Sequence, residues 1–381
     1  MGFLKIKANQ LFDGYRFHAG EILILQQNGA VEAIVPEKEA GDDLLELDGI
    51  VSPGFVNCHC HLELSHLKER IEEGTGLAHF VQDVVAKRRV GEDEIQQAIA
   101  DAEQEMIENG IVAAGDICNT TGTIDVKAGG NLYYHSFIEV LGSDPAKAES
   151  NFEIFSTIHA DFCRVLPGRQ VSFTPHAPYS VSELLWEKIL TGETKLMSIH
   201  NQEAADENLW FKNKTGAFVE LYERMKLDTS SFIATGKSSL QSYLPKFRKE
   251  QSLILVHNVH TSEDDIHFAA QQPLNLFWCF CPNANEYISR QLPDIPLFIN
   301  NNCTIVLGTD SLASNHQLSI WEEIKTIRKK FPQIELEQLL QWATLNGAKA
   351  LQVDGRFGSF EKGKKPGVVH IDGLGNLSKV I

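Results

Sequence analysis

Val51-Ser52-Pro53-Gly54-Phe55-Val56-Asn57-Cys58-His59-Cys60-His61 is the stretch on which the fold turns. An apolar run entered through Pro-Gly reads as a strand. Successive side chains of a strand point to opposite faces, so His59 and His61 share one face while Cys58 and Cys60 take the other. Two imidazoles can then reach one cation from a single rigid strand. Taken alone, the pair could be no more than two polar residues at a strand end, and the sequence downstream decides.

From Gly54 onward, apolar strand-like runs alternate with helical spacing, the texture of parallel βα units. The strand candidates are 55–61, 111–117, 132–141, 171–175, 195–200, 253–257, 275–280 and 304–309. Segments 93–109, 182–190, 207–225, 262–270 and 320–330 carry helical periodicity and are long enough to cross back over a sheet. Eight strands with helical crossovers predict an α/β chain folded as a (β/α)8 TIM-type barrel over 54–357. Before it, 1–53 is rich in short β-like pieces such as 21–25 and 31–35, and after the helical stretch 336–351 the tail 358–381 is β-like again. Both ends are expected to form one small β-sandwich module. The connection 63–91 exceeds a normal βα loop and is a candidate substrate cover.

The repetition of one position across strands removes the bland reading of the first pair. His200 ends the run Leu196-Met197-Ser198-Ile199, with Glu203 three residues on; His257 ends Leu253-Ile254-Leu255-Val256; Asp310 follows Thr304-Ile305-Val306-Leu307-Gly308-Thr309. Strands one, five, six and eight thus each present a metal-binding or proton-moving residue at the carboxyl end, where barrels of this kind put their sites. Three neutral imidazoles and a carboxylate suit one divalent metal ion, zinc foremost, with iron or manganese acceptable. Such a cation lowers the pKa of a bound water toward neutrality, which makes water the expected nucleophile.

These residues carry a resemblance. The chain resembles the amidohydrolase superfamily in its cytosine, guanine and S-adenosylhomocysteine deaminase and chlorohydrolase branch. Pro53 through Asn57 leads into the His-x-His pair, and Pro175-His176-Ala177-Pro178-Tyr179-Ser180 is similar to the fourth-strand substrate loop. His200-Asn201-Gln202-Glu203, His257-Asn258-Val259-His260, Cys281-Pro282-Asn283-Ala284-Asn285 and Leu307-Gly308-Thr309-Asp310-Ser311 extend the match, and 343–348 with 358–364 carry it into the tail. Departures are Glu286-Tyr287 after Asn285 and Lys365-Pro366-Gly367 in the tail. The resemblance implies His59, His61, His200 and Asp310 as metal ligands, with Glu203, His257 and Asp310 catalytic. In that scheme Glu203 moves protons to a ring nitrogen and the leaving group, His257 steadies the developing oxygen, and His176 and Asn285 contact the substrate. The run His61-Leu62-Glu63-Leu64-Ser65 also resembles the start of the lid in aminodeoxyfutalosine deaminases.

Composition narrows the partners. Acidic residues outnumber basic ones 51 to 34, and the formal charge of −17 disfavours a nucleic-acid polymer or an anionic membrane surface. No apolar run at the amino terminus directs the chain out of the cytoplasm. Seven cysteines, four of them in Cys-x-Cys pairs, read as free and mostly buried thiols rather than as a zinc finger. The cytidine-deaminase type of zinc site is excluded, because His61-Leu62-Glu63 has no Pro-Cys-x-x-Cys companion. The expected activity is hydrolytic deamination of a small heteroaromatic amine of purine or nucleoside type, with ammonia released; a homodimer is allowed. The alternatives are dechlorination of an aminated ring and a non-catalytic binding barrel, the latter disfavoured because every ligand and the carboxylate are present.

Overall fold

The computed structural model describes residues 2–168, 170–192 and 194–381. Its parallel strands are β1 (Phe55–Cys60), β2 (Ile111–Cys118), β3 (Tyr133–Val140), β4 (Gln170–Pro175), β5 (Leu196–Asn201), β6 (Ser252–His257), β7 (Asn275–Phe280) and β8 (Ile305–Leu307). They form two four-stranded ladders, β1-β2-β3-β4 and β5-β6-β7-β8. At the β4–β5 seam the His200 N–H donates to the His176 carbonyl at 3.0 Å, and the Ser198 N–H donates to Thr174 Oγ1 at 2.7 Å. At the β8–β1 seam the N–H groups of Thr309 and Asp310 both donate to the His59 carbonyl at 3.0 Å. Asn57 Oδ1 accepts from the same Thr309 N–H at 3.1 Å. The ladders are therefore joined through the backbone of His59, His176, His200 and Asp310 themselves and through residues beside them.

All eight strands fall within about two residues of the sequence-based expectation, because a strand buried on both faces must be continuously apolar and so is legible. The helices differ more. The segment 207–225 is two helices, Ala205–Asn213 and Ala217–Arg224, broken where Lys214 and Gly216 adopt φ 58° and 94°. A side chain at Gly216 would meet Asp206 Oδ1 at 2.6 Å, the same oxygen that accepts the Ala217 N–H at 2.7 Å. The stretch 336–351 contains a π-helical turn, Trp342–Asn346, before Gly347 packs against Val56. An 18-residue helix, Ala148–Val165, packs on β3 and β4 and is absent from the periodicity reading. The connection 63–91 holds a 3-10 turn, Leu62–Leu67, and a helix, Leu77–Lys87.

Strands from both chain ends pair into one seven-stranded sheet. Its order is Leu377–Lys379, Val368–Ile371, Leu44–Pro53, Phe3–Phe12, Glu21–Gln26 and Val31–Pro36, with the short Phe17–His18 beside Phe3–Phe12. The hydrogen bonds join these strands of both chain ends into one continuous ladder, with a register shift between Ala8 and Gln10. Ile6, Leu11, Leu23, Leu25, Val51, Phe360 and Val368 give it an apolar cluster of its own. Gly54 passes the chain from this sheet into β1 at a point where a Cβ would meet Val112 at 2.3 Å and the Pro366 carbonyl at 2.8 Å. Of the seven free cysteines, Cys58, Cys60, Cys118, Cys279 and Cys281 are buried. Among the described residues no helix is long and apolar enough to cross a membrane.

Candidate metal centre and active-site cavity

The two histidines of β1 meet as the strand period requires, with His59 Nε2 and His61 Nε2 3.2 Å apart. Asp310 Oδ1 lies 3.6 Å from His59 Nε2 and 3.4 Å from His61 Nε2. The His200 ring stands 4.9 Å from that of His59 and 5.4 Å from that of His61, centroid to centroid. Ligands about 2.1 Å from a tetrahedral cation are separated by about 3.4 Å, so the observed separations fit one such ion between them. The donor chemistry agrees. Burial pushes His61 well below its ordinary pKa and His200 down to about 4, keeping both rings neutral and their lone pairs free. Burial works in the opposite direction on Asp310, but hydrogen bonding to His59 and the surrounding imidazoles hold its carboxyl well below the usual range.

The neighbours orient each ring. His200 Nδ1 donates to the His176 carbonyl at 2.8 Å, which turns Nε2 toward His59 and His61. Asn285 Nδ2 donates to His257 Nδ1 at 3.1 Å, leaving the proton of His257 on Nε2, 3.7 Å from Glu203 Oε1. The Ser180 hydroxyl donates to the Ala177 carbonyl, so it accepts from His176 Nδ1 at 2.7 Å and leaves His176 Nε2 as an acceptor. Ser314 donates to Asp310 Oδ2 at 2.6 Å, which leaves Oδ1 for the histidines. Gln202, His257, Asn258 and Asp310 all sit at positive φ, a costly conformation that persists only where the surroundings enforce it. Asn258 supplies part of that enforcement through amide bonds to the Leu255 and Cys279 carbonyls at 2.8 and 3.0 Å.

Above these groups lies a cavity of ≈ 310 Å³ whose floor includes His61, His176, His200, Glu203, His257 and Asp310. Glu203 is 5% exposed; burial first, with Asp310 and Glu207 adding, pushes its carboxyl well above the usual range. The roof is apolar. Leu77, Phe80, Val81 and Val84 come from the helix Leu77–Lys87, and Leu221, Tyr222, Met225 and Leu227 face them. The expected cover segment therefore does line the cavity. Its base is tied down by Tyr287, one of the two departures after Asn285, whose hydroxyl donates to the Ile71 carbonyl at 2.6 Å.

Asn285 is not on the cavity wall. It stands behind His257, reached by sequence as a loop residue whose direction no local pattern fixes. Arg88, Asn119 and Glu139 are among the wall residues that escape the sequence reading. Glu139 had one visible signal, a lone carboxylate in the apolar run Phe137-Ile138-Glu139-Val140 near the end of β3. Arg88 and Asn119 had none.

The sequence model of the amidohydrolase family matches residues 50–380. The chain belongs to the amidohydrolase family. An adenosine deaminase of Helicobacter pylori is 26% identical over 328 residues, which span 84% of this chain and 78% of that protein. Among solved structures, Helicobacter pylori aminofutalosine deaminase in complex with methylthio-coformycin superposes with a TM-score of 0.80 at 22% identity, over 96% of this chain and 91% of that one. An adenosine deaminase from Xanthomonas campestris with bound zinc gives a TM-score of 0.75 at 20% identity, over 97% and 84% of the two chains. These superpositions carry the barrel fold across nearly the whole length.

Proposed function

We propose that this member of the amidohydrolase family is a hydrolytic deaminase of an amino-substituted purine or nucleoside-like heterocycle, releasing ammonia. The observation that carries the reading is the buried Glu203 carboxyl on the same cavity floor as His257 and the His59–His61–Asp310 cluster. His59, His61, His200 and Asp310 are the residues we assign to one divalent metal ion. Zinc is the ion favoured, since three imidazoles and a carboxylate suit it and the Xanthomonas relative carries it. When bound, such an ion supplies Lewis acidity and brings the pKa of a water toward neutrality.

The chain's own groups account for the proton traffic. Replacing an exocyclic amine by oxygen requires a proton on the ring nitrogen and another on the departing nitrogen, and a single carboxyl that can carry a proton at neutral pH serves both. Glu203 meets that requirement through its burial. His257, with its proton on Nε2, donates toward oxygen at the reacting carbon, and Asn285 keeps that tautomer. His176 Nε2 accepts from the substrate. Dechlorination would leave this machinery partly idle, because chloride departs without a proton.

The test supplies adenosine, 6-aminodeoxyfutalosine, S-adenosylhomocysteine, guanine, cytosine and a chlorinated triazine to the metal-loaded protein, with ammonia and chloride assayed separately. Ammonia from at least one purine or nucleoside is expected. Chloride release without ammonia from any amine would reverse the assignment.

A further inference from the structure

A strand that ran on unchanged past β5 would carry Glu203 the wrong way. Side chains alternate, so with His200 turned toward the cavity Gln202 would share its face and Glu203 would point to the other. The cavity wall instead includes His200 and Glu203 and leaves out Gln202. The reversal falls at Gln202 itself, whose φ of 46° lies in the left-handed region. A residue other than glycine holds that conformation at a cost, so something must restrain it there.

The restraint is its own side chain, which is fully buried and bonded at both ends. Nε2 donates to Asn208 Oδ1 and to Asp265 Oδ2, both at 3.0 Å. Oε1 accepts from the Thr261 hydroxyl at 2.7 Å and, at longer range, from Asn201 Nδ2 at 3.4 Å. The Gln202 carbonyl accepts the His260 N–H at 2.9 Å. Asn208 belongs to the helix that follows Glu203, Ala205–Asn213; His260 and Thr261 belong to the loop that follows His257; Asp265 lies in the first turn of the helix Glu263–Ala270. These partners are fixed in turn. Asp265 Oδ2 also accepts the Ser262 N–H at 3.1 Å, closing the cap of its helix, and Asn208 Nδ2 donates to the His260 carbonyl at 3.2 Å. One buried amide thus fastens the loop that carries Glu203 to the loop after His257, just past the point where the β5–β6 ladder ends at Asn201 and His257. The two side chains so joined face each other, with Glu203 Oε1 3.7 Å from His257 Nε2.

We infer that Gln202 is a positioning residue: it reverses the alternation after β5 so that Glu203 enters the cavity, and it sets the separation between Glu203 and His257. It acts through Glu203 and lies off the cavity wall. The inference rests on the reading of Glu203 as the proton carrier and goes beyond it by naming the group that aims that carboxyl.

The experiment measures kcat, KM and metal content for the parent, Gln202→Met, Glu203→Gln and the double variant, on whichever amine of the panel above releases ammonia. Crystal structures of the parent and Gln202→Met accompany the kinetics. Methionine matches glutamine in length and removes the amide. A misplaced reacting group costs up to about 10²-fold, so Gln202→Met should lower kcat by about 10- to 100-fold, with KM within about threefold and metal retained. In the Glu203→Gln background the same change should cost less than about twofold, because a residue that acts through Glu203 has nothing left to act on. Losses that multiply in full in the double variant overturn the inference, as does a parental kcat in Gln202→Met. Loss of metal from Gln202→Met overturns it too, since Gln202 would then be a support for His200. Thr261→Val removes only the stronger bond to Oε1 and should show the same pattern at smaller size. If Gln202→Met does not fold, Thr261→Val takes its place, and a parental kcat there overturns the inference. If no amine of the panel yields ammonia, the deaminase reading falls by itself and the crystal structures decide: a Glu203 carboxyl within about 0.5 Å of its parental place overturns the positioning role, and a larger displacement upholds it.

Discussion

The proposed roles assign proton handling and metal retention to different residues of the site. Glu203→Gln keeps the volume and removes the transferable proton, so kcat should fall by about 10²-fold or more, within the usual worth of a positioned acid–base group, while metal content holds. Turnover at the parental rate would reduce Glu203 to a bystander. His59→Ala and His200→Ala should instead lose the metal, since each deletes one of four donors whose mutual separations of 3.2–3.6 Å among His59, His61 and Asp310 leave room for a single ion. Elemental analysis should find about one divalent ion per chain in the parent; two fully occupied ions would contradict the assignment. The histidines we assign to the metal were legible because they repeat at strand ends. Glu139 and Arg88 were not, because one charged residue inside or beside an apolar run looks alike whether it faces a cavity or a partner.

At the scale of elements, the join between β8 and β1 is the most sensitive place. Gly308 follows β8, and a Cβ there would meet His59 Cβ at 2.9 Å and the sulfurs of Cys279 and Cys281 at 3.0 Å. Gly308→Ala should therefore cost about 1–3 kcal/mol by overpacking and displace His59. Both a lowered denaturant midpoint and weakened metal retention are expected; a variant with the parental midpoint would show that the seam can yield. The strands themselves were readable from hydrophobic runs. The break at Lys214–Gly216 and the π-turn at Trp342–Asn346 were not, since each depends on a contact with a residue distant in sequence or on backbone packing rather than on period.

For the whole molecule, buried histidines make one contribution to stability that acid removes. His135 lies buried on β3, stacked on Phe137 with Nε2 2.8 Å from Ser172 Oγ, and burial pushes its pKa from 6.5 down to about 3. The unfolded chain takes up this proton near 6.5 while the folded chain refuses it, so stability is full above 6.5 and is lost as pH falls toward about 3. His176 and His200, pushed down to about 4 chiefly by burial, add to the same slope. Buried carboxyls such as Glu323, pushed up to about 8, and Glu207, pushed up to about 7, act in the opposite direction, so the test is a difference: between pH 7 and 4 the denaturant midpoint of His135→Gln should lose less, or gain more, than that of the parent, and an identical slope in the variant would remove His135 from the account. Sequence by itself determined the barrel class, the strand positions and the histidines, aspartate and glutamate at their ends, because alternation and burial are local rules that every strand must obey. It also marked 63–91 as a segment with work to do. Tertiary structure alone decided that Asn285 serves His257, that Leu77–Lys87 roofs the cavity and that Glu139 lies on its wall. Those outcomes depend on which side chains meet across the barrel, and residues such as Glu63, Asn119 and Glu139 come together only when separate βα units close on one another.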